Sequence, residues 1–404
     1  MGCIACQPIL NTKKNIFGYE LLSRSSPTSK RFDGNDGDKA TRELLSTAFG
    51  DVGIKKITGG KRSFVNFPES LLRDDLPLLF SKDILVIEIL ESVEPNPENV
   101  EVCRKLRKQG YMLALDDFVY SREEDEMLKI ANIVKIDFLQ YPDRTGLSEV
   151  IDNVRRVNPN IVLLAEKVET EDNFNMAREL GFTLFQGYFF ARPKLHAGRH
   201  LRPVELSRLQ LLRCLHGEEI DFAKISQITK HDLALSHKLL RIVNSSRYGL
   251  NFYVSSILHA FTILGTEETK KWLSFVVMEN MAGDSEKELS RMALMRGLFM
   301  EKLTVPLRRK SEKETFFMFG LFSMADAMMR APMEDVLSQT NLSQKITEPL
   351  LTGEGELAEL LQMLIAYERA KWDKVTELAE QFGLNEDQVS KFYLDALQEA
   401  YELL

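Results

Sequence analysis

Cysteine is scarce, with four in 404 residues. Four thiols cannot staple a fold of this length, so they are expected to be reduced, as in the cytoplasm. Cys3 and Cys6 have CxxC spacing, but no second pair follows and the segment is apolar and strand-like; buried free thiols are the expectation. Long apolar runs are also missing. The best stretch, 84–90, carries Glu88 and falls well short of the ~18 residues that span a bilayer, so no membrane insertion is expected. No basic region followed by an apolar one opens the chain, so no secretory signal is expected. The Met1-Gly2-Cys3 start invites myristoylation, but Cys6 stands where that pattern needs Ser or Thr. Positive charge is in deficit: 52 Lys and Arg against 60 Asp and Glu give a net charge of −8. That argues against an extended nucleic-acid surface, although a small phosphate ligand needs only a local pocket. With 44% hydrophobic and 28% charged residues, collagen-like, low-complexity and largely disordered chains are excluded.

Apolar runs and amphipathic stretches alternate through 1–197. Strands are predicted over 4–10, 16–22, 63–67, 84–90, 111–117, 133–138, 161–166 and 183–189. Helices are predicted between most of them, over 39–49, 97–109, 123–130, 147–157 and 170–180. Helices ending at Gly110 and Gly181 fit glycine C-caps. Repeated alternation of this kind implies parallel strands with crossover helices, and about eight strands favour a TIM-like (β/α) barrel over an open sheet. The basic stretch from Ala191 to Pro203 reads as a linker; a phosphate or partner site there is the less favoured reading, because a charge run is usually a solvated face. From Val204 onward the period is helical, as in Leu235, Leu239 and Ile242. The expected division is a barrel over 1–197, a linker over 198–204 and an all-α domain over 205–404. Asp221 and Asp232 stand where helix N-caps would stand. Asp33 to Asp38 looks like a calcium loop, but Gly37 and Leu44 occupy ligand positions, and a polar loop is expected.

Several charged groups fall where an apolar strand should not have them. Glu88 lies inside Ile-Leu-Val-Ile-Glu-Ile-Leu, and Asp116 and Asp117 end Met-Leu-Ala-Leu. Lys135 lies in Ile-Val-Lys-Ile, Glu166 ends Ile-Val-Leu-Leu-Ala, and Glu20 follows Phe-Gly-Tyr. An ionised carboxylate in such a place is costly unless paired or bound to metal. The C-terminal strand ends of a barrel share one rim, where barrels build active sites. With the amide oxygen of Asn66, these carboxylates make a hard, oxygen-rich set suited to Mg²⁺ or Mn²⁺. Two such ions could activate water for in-line attack on a phosphate, with a lysine orienting the water and a glutamate taking its proton. Buried ion pairs, such as Lys135 with Asp116, are the structural alternative for any single residue.

This ordered set resembles the EAL-type cyclic di-GMP phosphodiesterase domain across 3–193. Gln7-Pro8-Ile9 resembles its opening QPI. Tyr19-Glu20-Leu21-Leu22-Ser23-Arg24 stands at its E-A/V-L-x-R motif, which makes Glu20 a metal ligand and Arg24, with Gln7, a substrate contact. Val65-Asn66-Phe67 and Ile87-Glu88-Ile89-Leu90-Glu91 supply the ligands Asn66 and Glu88, with Glu91 in support. Leu115-Asp116-Asp117-Phe118 resembles D-D-F, whose aspartates reach both metals. Val134-Lys135-Ile136-Asp137 gives the water-positioning Lys135. Ala165-Glu166-Lys167-Val168-Glu169 resembles A-E-G-V-E, with Glu166 as general base and, in a second role, a ligand of the second metal, and Glu169 supporting the loop. Gln186-Gly187-Tyr188 resembles the closing Q-G-Y. Three departures stand out: Leu90 replaces Thr, Lys167 replaces Gly, and Val119 to Glu124 replaces a glycine-rich loop. The altered loop bears on second-metal occupancy, dimer geometry and rate.

Residues 204–400 resemble an HDOD domain, through Asp232 to Ser246, Ser256-Ile257, Ala260, Leu264-Gly265 and Phe319 to Asp326. That family is helical and lacks the metal ligands of its HD relatives. His231-Asp232 therefore reads as an exposed histidine beside a helix cap, His237 and His259 as polar helix positions, and the Phe316, Phe317, Phe319, Phe322 cluster as core or, alternatively, an aromatic partner groove. The resemblance implies a cytoplasmic enzyme that cleaves cyclic di-GMP to the linear dinucleotide, with a protein partner acting through the HDOD domain and a homodimer as one assembly. A module that binds cyclic di-GMP without cleaving it, and a scaffold that binds no nucleotide, remain as alternatives.

Overall fold

The computed structural model describes all residues except 1–2, 25–35, 52, 142–143, 192–202, 217–221, 246–247 and 283–286. The supposed calcium loop up to Asn35, most of the basic linker stretch and the Asp221 cap therefore lie outside the described residues. Two compact units emerge: Met1–Phe190 with Ala366–Thr376, and Ala191–Ile365 with Glu377–Leu404.

Eight strands close into a barrel in sequence order. They are β1 (Cys3–Asn11), β2 (Ile16–Arg24), β3 (Arg62–Phe67), β4 (Leu85–Ile89), β5 (Met112–Leu115), β6 (Ile133–Asp137), β7 (Val162–Glu166) and β8 (Leu184–Gln186). From β2 to β8 all neighbours run parallel, but β1 is antiparallel to both β2 and β8. The uniform parallel direction expected from strand–helix alternation is thus corrected at β1. The reason is connection length: only four residues separate β1 from β2, and a parallel crossover needs a dozen or more. Asn11 closes this hairpin through backbone bonds with Lys14 and Asn15, and its side chain caps the Lys13 and Asn15 amides.

Inside the barrel, Ile9, Phe64, Val86, Ala114, Ile133, Leu164 and Leu184 form a buried apolar floor. Side chains alternate in and out along a strand, so the next inward position on each strand lies one layer above that floor. The crossover helices Pro97–Lys108, Arg144–Val157 and Glu171–Glu179 begin and end close to the predicted positions. Asn96 and Thr170 cap the first and third of these through the Asn99 and Asn173 amides.

From Pro203 onward the regular elements among the described residues are all helical. Asp232 caps Leu233–Val243 through the amides of Ala234 and Leu235, as its position predicted. The helix Ile257–Ala282 is kinked and turns at Gly265 (φ 71°, ψ −179°). A left-handed φ inside a helix suits a residue without Cβ. The Phe316, Phe317, Phe319, Phe322 cluster is fully buried core. Cys3, Cys6 and Cys103 are buried thiols that form no disulfide. No helix among the described residues is long and apolar enough to cross a membrane.

Candidate active site

The layer above the apolar floor is polar on every strand. Two residues beyond Phe64, Val86, Ala114, Ile133, Leu164 and Leu184 stand Asn66, Glu88, Asp116, Lys135, Glu166 and Gln186. On the antiparallel β1, two residues before Ile9, stands Gln7, in register with Glu20 of β2. Register completes the ring, with Asn66 beside Glu88 and Asp137 beside Glu166.

Lys135 is fully buried at the centre. Its Nζ lies 2.6 Å from Glu88 Oε1, 2.6 Å from Asp116 Oδ1, 2.9 Å from Glu166 Oε1 and 3.4 Å from Glu20 Oε1. Gln186 Nε2 donates to Glu20 Oε2 at 2.6 Å and to Gln7 Oε1 at 2.9 Å. Gln7 Nε2 in turn donates to the Glu368 carbonyl at 3.4 Å. The neighbouring Tyr367 hydroxyl bonds the Ile4 backbone, so a distant stretch of chain is built into the barrel unit.

One ammonium faces four carboxylates, and the charge balance shows in their acidities. Burial lifts the Glu88 carboxyl well above its usual range, with Lys135 opposing the rise and the Glu20 and Asp116 charges adding to it. Burial likewise lifts Glu166 to about 7, against the pull of Lys135. Burial alone would depress the Lys135 ammonium, but Glu166, Glu20, Glu88 and Asp116 hold it well above the ordinary lysine range.

The donor set fits a hard cation. Asn66 Oδ1 and Glu88 Oε2 are buried and accept no hydrogen bond, while Glu88 Oε1 is met by the Lys135 ammonium; a buried oxygen left in that state is expensive unless a positive charge meets it. Among the described residues no three Asp, Glu, His or Cys side chains converge on a shared ion position; they converge on the Lys135 ammonium instead.

At the rim, Glu91 and Asp117 line a cavity of about 230 Å³ with Asp116, Phe118 and Glu124. Glu169 is exposed on the loop after β7. Gly187 has φ +143°, and a Cβ there would lie 2.1 Å from the Val168 carbonyl oxygen; only glycine lets this loop pack against β8. Arg24 ends β2 in register with Cys3, and its side chain lies outside the described residues. Two non-glycine residues at the rim are left-handed, Asp117 (φ 40°) and Lys167 (φ 53°), a conformation that costs a residue with a Cβ roughly 1–2 kcal/mol. Asp137, not among the candidates, accepts from Lys167 Nζ at 2.6 Å and from the Leu139 amide at 2.8 Å. The signal available for it was spacing: Asp137 is the next inward position after Lys135.

Residues 60–193 match the EAL domain model, and residues 203–371 match the HDOD domain model. Cyclic di-GMP phosphodiesterase CdgJ of Vibrio cholerae serotype O1 is 34% identical over 97% of this chain and 91% of its own. The uncharacterized protein YuxH of Bacillus subtilis (strain 168) is 34% identical over 99% of this chain and 98% of its own. The chain belongs to the EAL–HDOD family. Among solved structures, an EAL domain protein from Listeria monocytogenes EGD-e is 24% identical, with a TM-score of 0.38 over 47% of this chain and 87% of that one. The matched EAL range begins after β2, so Gln7, Glu20 and Arg24 precede it. The barrel itself joins Gln7 and Glu20 to the EAL residues, through Gln186 and Lys135. In the HDOD half, Asp232 also accepts from Arg208 at 3.0 Å, which accounts for its carboxylate without a metal.

Proposed function

We propose that the chain is a divalent-metal-dependent phosphodiesterase that hydrolyses cyclic di-GMP to the linear dinucleotide pGpG. The observation that carries this reading is the cage of Glu20, Glu88, Asp116 and Glu166 around Lys135, with Asn66 Oδ1 and Glu88 Oε2 lacking hydrogen-bond partners. The 34% identity with a relative named as a cyclic di-GMP phosphodiesterase supports the choice of substrate. Glu20, Asn66, Glu88 and Asp116 would hold one Mg²⁺ or Mn²⁺, and Asp116 and Asp117, with Glu166, are the donors on which a second ion would depend. Such ions lower the pKa of bound water and neutralise phosphate charge when bound.

The remaining roles belong to the side chains. Glu166 takes the proton of the attacking water, from a buried position beside Lys135. Lys135 orients that water and holds Glu166, Asp116 and Glu88 in mutual reach. Gln186 fixes Glu20 and Gln7 in one hydrogen-bonded row, and Gln7 and Arg24 would contact the substrate. Glu91 and Glu169 steady the rim loops. The barrel domain over 1–197 would do the chemistry, and the HDOD domain over 205–404, past a linker at 198–204, would meet a protein partner or a second copy of the chain. Buried thiols without disulfides fit a cytoplasmic setting.

The test is direct. Purified full-length chain is incubated with cyclic di-GMP and Mg²⁺ or Mn²⁺ in turn, and the product is resolved by chromatography. Linear dinucleotide is expected, and Glu166→Ala should lower turnover by about 10²–10⁴-fold while the fold is retained. Unchanged turnover in that variant overturns the assignment; tight binding without product marks a binding module instead.

A further inference from the structure

Lys167 stands where the resembling motif has glycine, and its backbone shows why glycine would suit the place. The residue before it, Glu166, is held in register with Asp137. The residue after it, Val168, is pinned by two backbone bonds, its amide donating to Gln186 and its carbonyl accepting from Phe189. Between these fixed neighbours the chain turns at φ +53°. A lysine here keeps a strain that glycine would avoid. Strain of this kind persists where the surrounding structure over-determines it, and at an active-site rim it points to a function.

The side chain supplies that function. The Lys167 ammonium lies 2.6 Å from Asp137 Oδ2 and 3.8 Å from Asp117 Oδ1. Asp137 is nearly buried, whereas Lys167 and Asp117 are half-exposed at the mouth of the cage. Asp117 is itself left-handed at φ +40° and is followed by Phe118, whose amide is tied to the Lys135 carbonyl. Two strained residues thus present opposite charges to each other at the rim. An ordinary exposed ion pair would be worth too little to retain that strain.

We propose that Lys167 supplies from the chain itself the positive charge that a second metal would bring to Asp117, so that this active site takes one divalent ion rather than two. The inference rests on the phosphodiesterase reading above. Anchored by Asp137, the ammonium neutralises Asp117, repels a cation at that carboxylate and leaves a half-exposed charge for a phosphate oxygen of the substrate.

Ion counting tests this apart from turnover. Full-length chain is titrated with Mn²⁺ alone, free ion is read by electron paramagnetic resonance, and the bound signal is inspected for spin-coupled pairs. The wild type and Lys167→Arg should bind one ion and show no coupled pair. Lys167→Gly and Lys167→Gln should bind a second at least tenfold more tightly than wild type and show the coupled signal. Lys167→Gly relieves the left-handed strain, so folding does not limit the test. Two ions in the wild type, or isotherms that superimpose across the four proteins, overturn the inference while leaving the phosphodiesterase reading in place. No bound Mn²⁺ in any of the four overturns both.

Discussion

Lys135 in the barrel and Lys271 in the helical half are both buried, at 0% and 1% exposure, and both sit among carboxylates. Their surroundings differ in balance. Lys271 meets Glu268 and Glu301, each at 2.7 Å, and Glu268 also accepts from the Tyr248 hydroxyl and the Trp272 indole. Burial alone would raise the Glu268 carboxyl, but Lys271 and these three hydrogen bonds bring it down to about 2. Lys135 meets four carboxylates, and there the outcome is reversed: Glu88 and Glu166 are pushed up. A buried ion cluster whose acids are made stronger is satisfied and serves the fold. One whose acids are made weaker, by burial first and by neighbouring carboxylates after it, is not satisfied by its single ammonium, the pattern of a functional site rather than a structural one.

The contrast can be broken first by neutralising one acid in the helical cluster. Glu268→Gln removes a charge on which Lys271, the Tyr248 hydroxyl and the Trp272 indole all converge, and should lower stability by about 2 kcal/mol, the scale of hydrogen bonds to a charged group. Amide hydrogen exchange across Ile257–Ala282 checks it; unchanged protection there would show that Glu301 suffices for Lys271.

The pH dependence should have opposite signs in the two regions. Glu268 is depressed in the folded chain, so its contribution is present above pH 4.5 and is lost as pH falls toward 2. His216, buried with its Nε2 2.9 Å from the Ser274 hydroxyl, is held neutral by burial and by nearby Lys270, which bring its pKa down to about 3. Its contribution is lost as pH falls from 6.5 toward 3. Glu166 is raised, so in metal-free protein it favours folding below pH 4.5, and that benefit fades as pH rises through about 7. Hydrogen exchange at pH 4.5 and 7 in chelator should therefore show the helical half weakening, and the barrel strands strengthening, at the lower pH. Parallel changes in both would dissolve the distinction.

The smallest effect sharpens it. Glu88→Gln relieves repulsion in the cage, so the metal-free barrel should keep its stability within about 1 kcal/mol while Mn²⁺ binding weakens. A large loss of metal-free stability would mean that the Lys135–Glu88 pair is structural after all.

Much of the site could be read from the chain because its residues violate a local rule. Glu88 and Lys135 interrupt apolar strands, and Asn66, Asp116 and Glu166 close them, each two places beyond an apolar inward position. Period two and the cost of buried charge suffice to single them out. Asp137 and Lys167 were passed over as partners because their pairing joins β6 to the loop after β7, and spacing along one strand carries no information about its neighbour. The reversed direction of β1 was hidden for a related reason: apolar alternation is the same whichever way a strand runs. His216 gave no signal, since one histidine in a helix looks alike whether buried or exposed.

The sequence by itself determined the class of each half, the polar layer of the barrel and the identity of the residues in it, because these follow from side-chain period and from the solvation of charge. Tertiary structure decided which charges meet. It placed one lysine against four carboxylates in the barrel and another against two in the helices, and it brought Lys167 to Asp117 and Asp137. Electrostatic energy depends on distance and burial, and both are set only when strands far apart in the chain close into one ring.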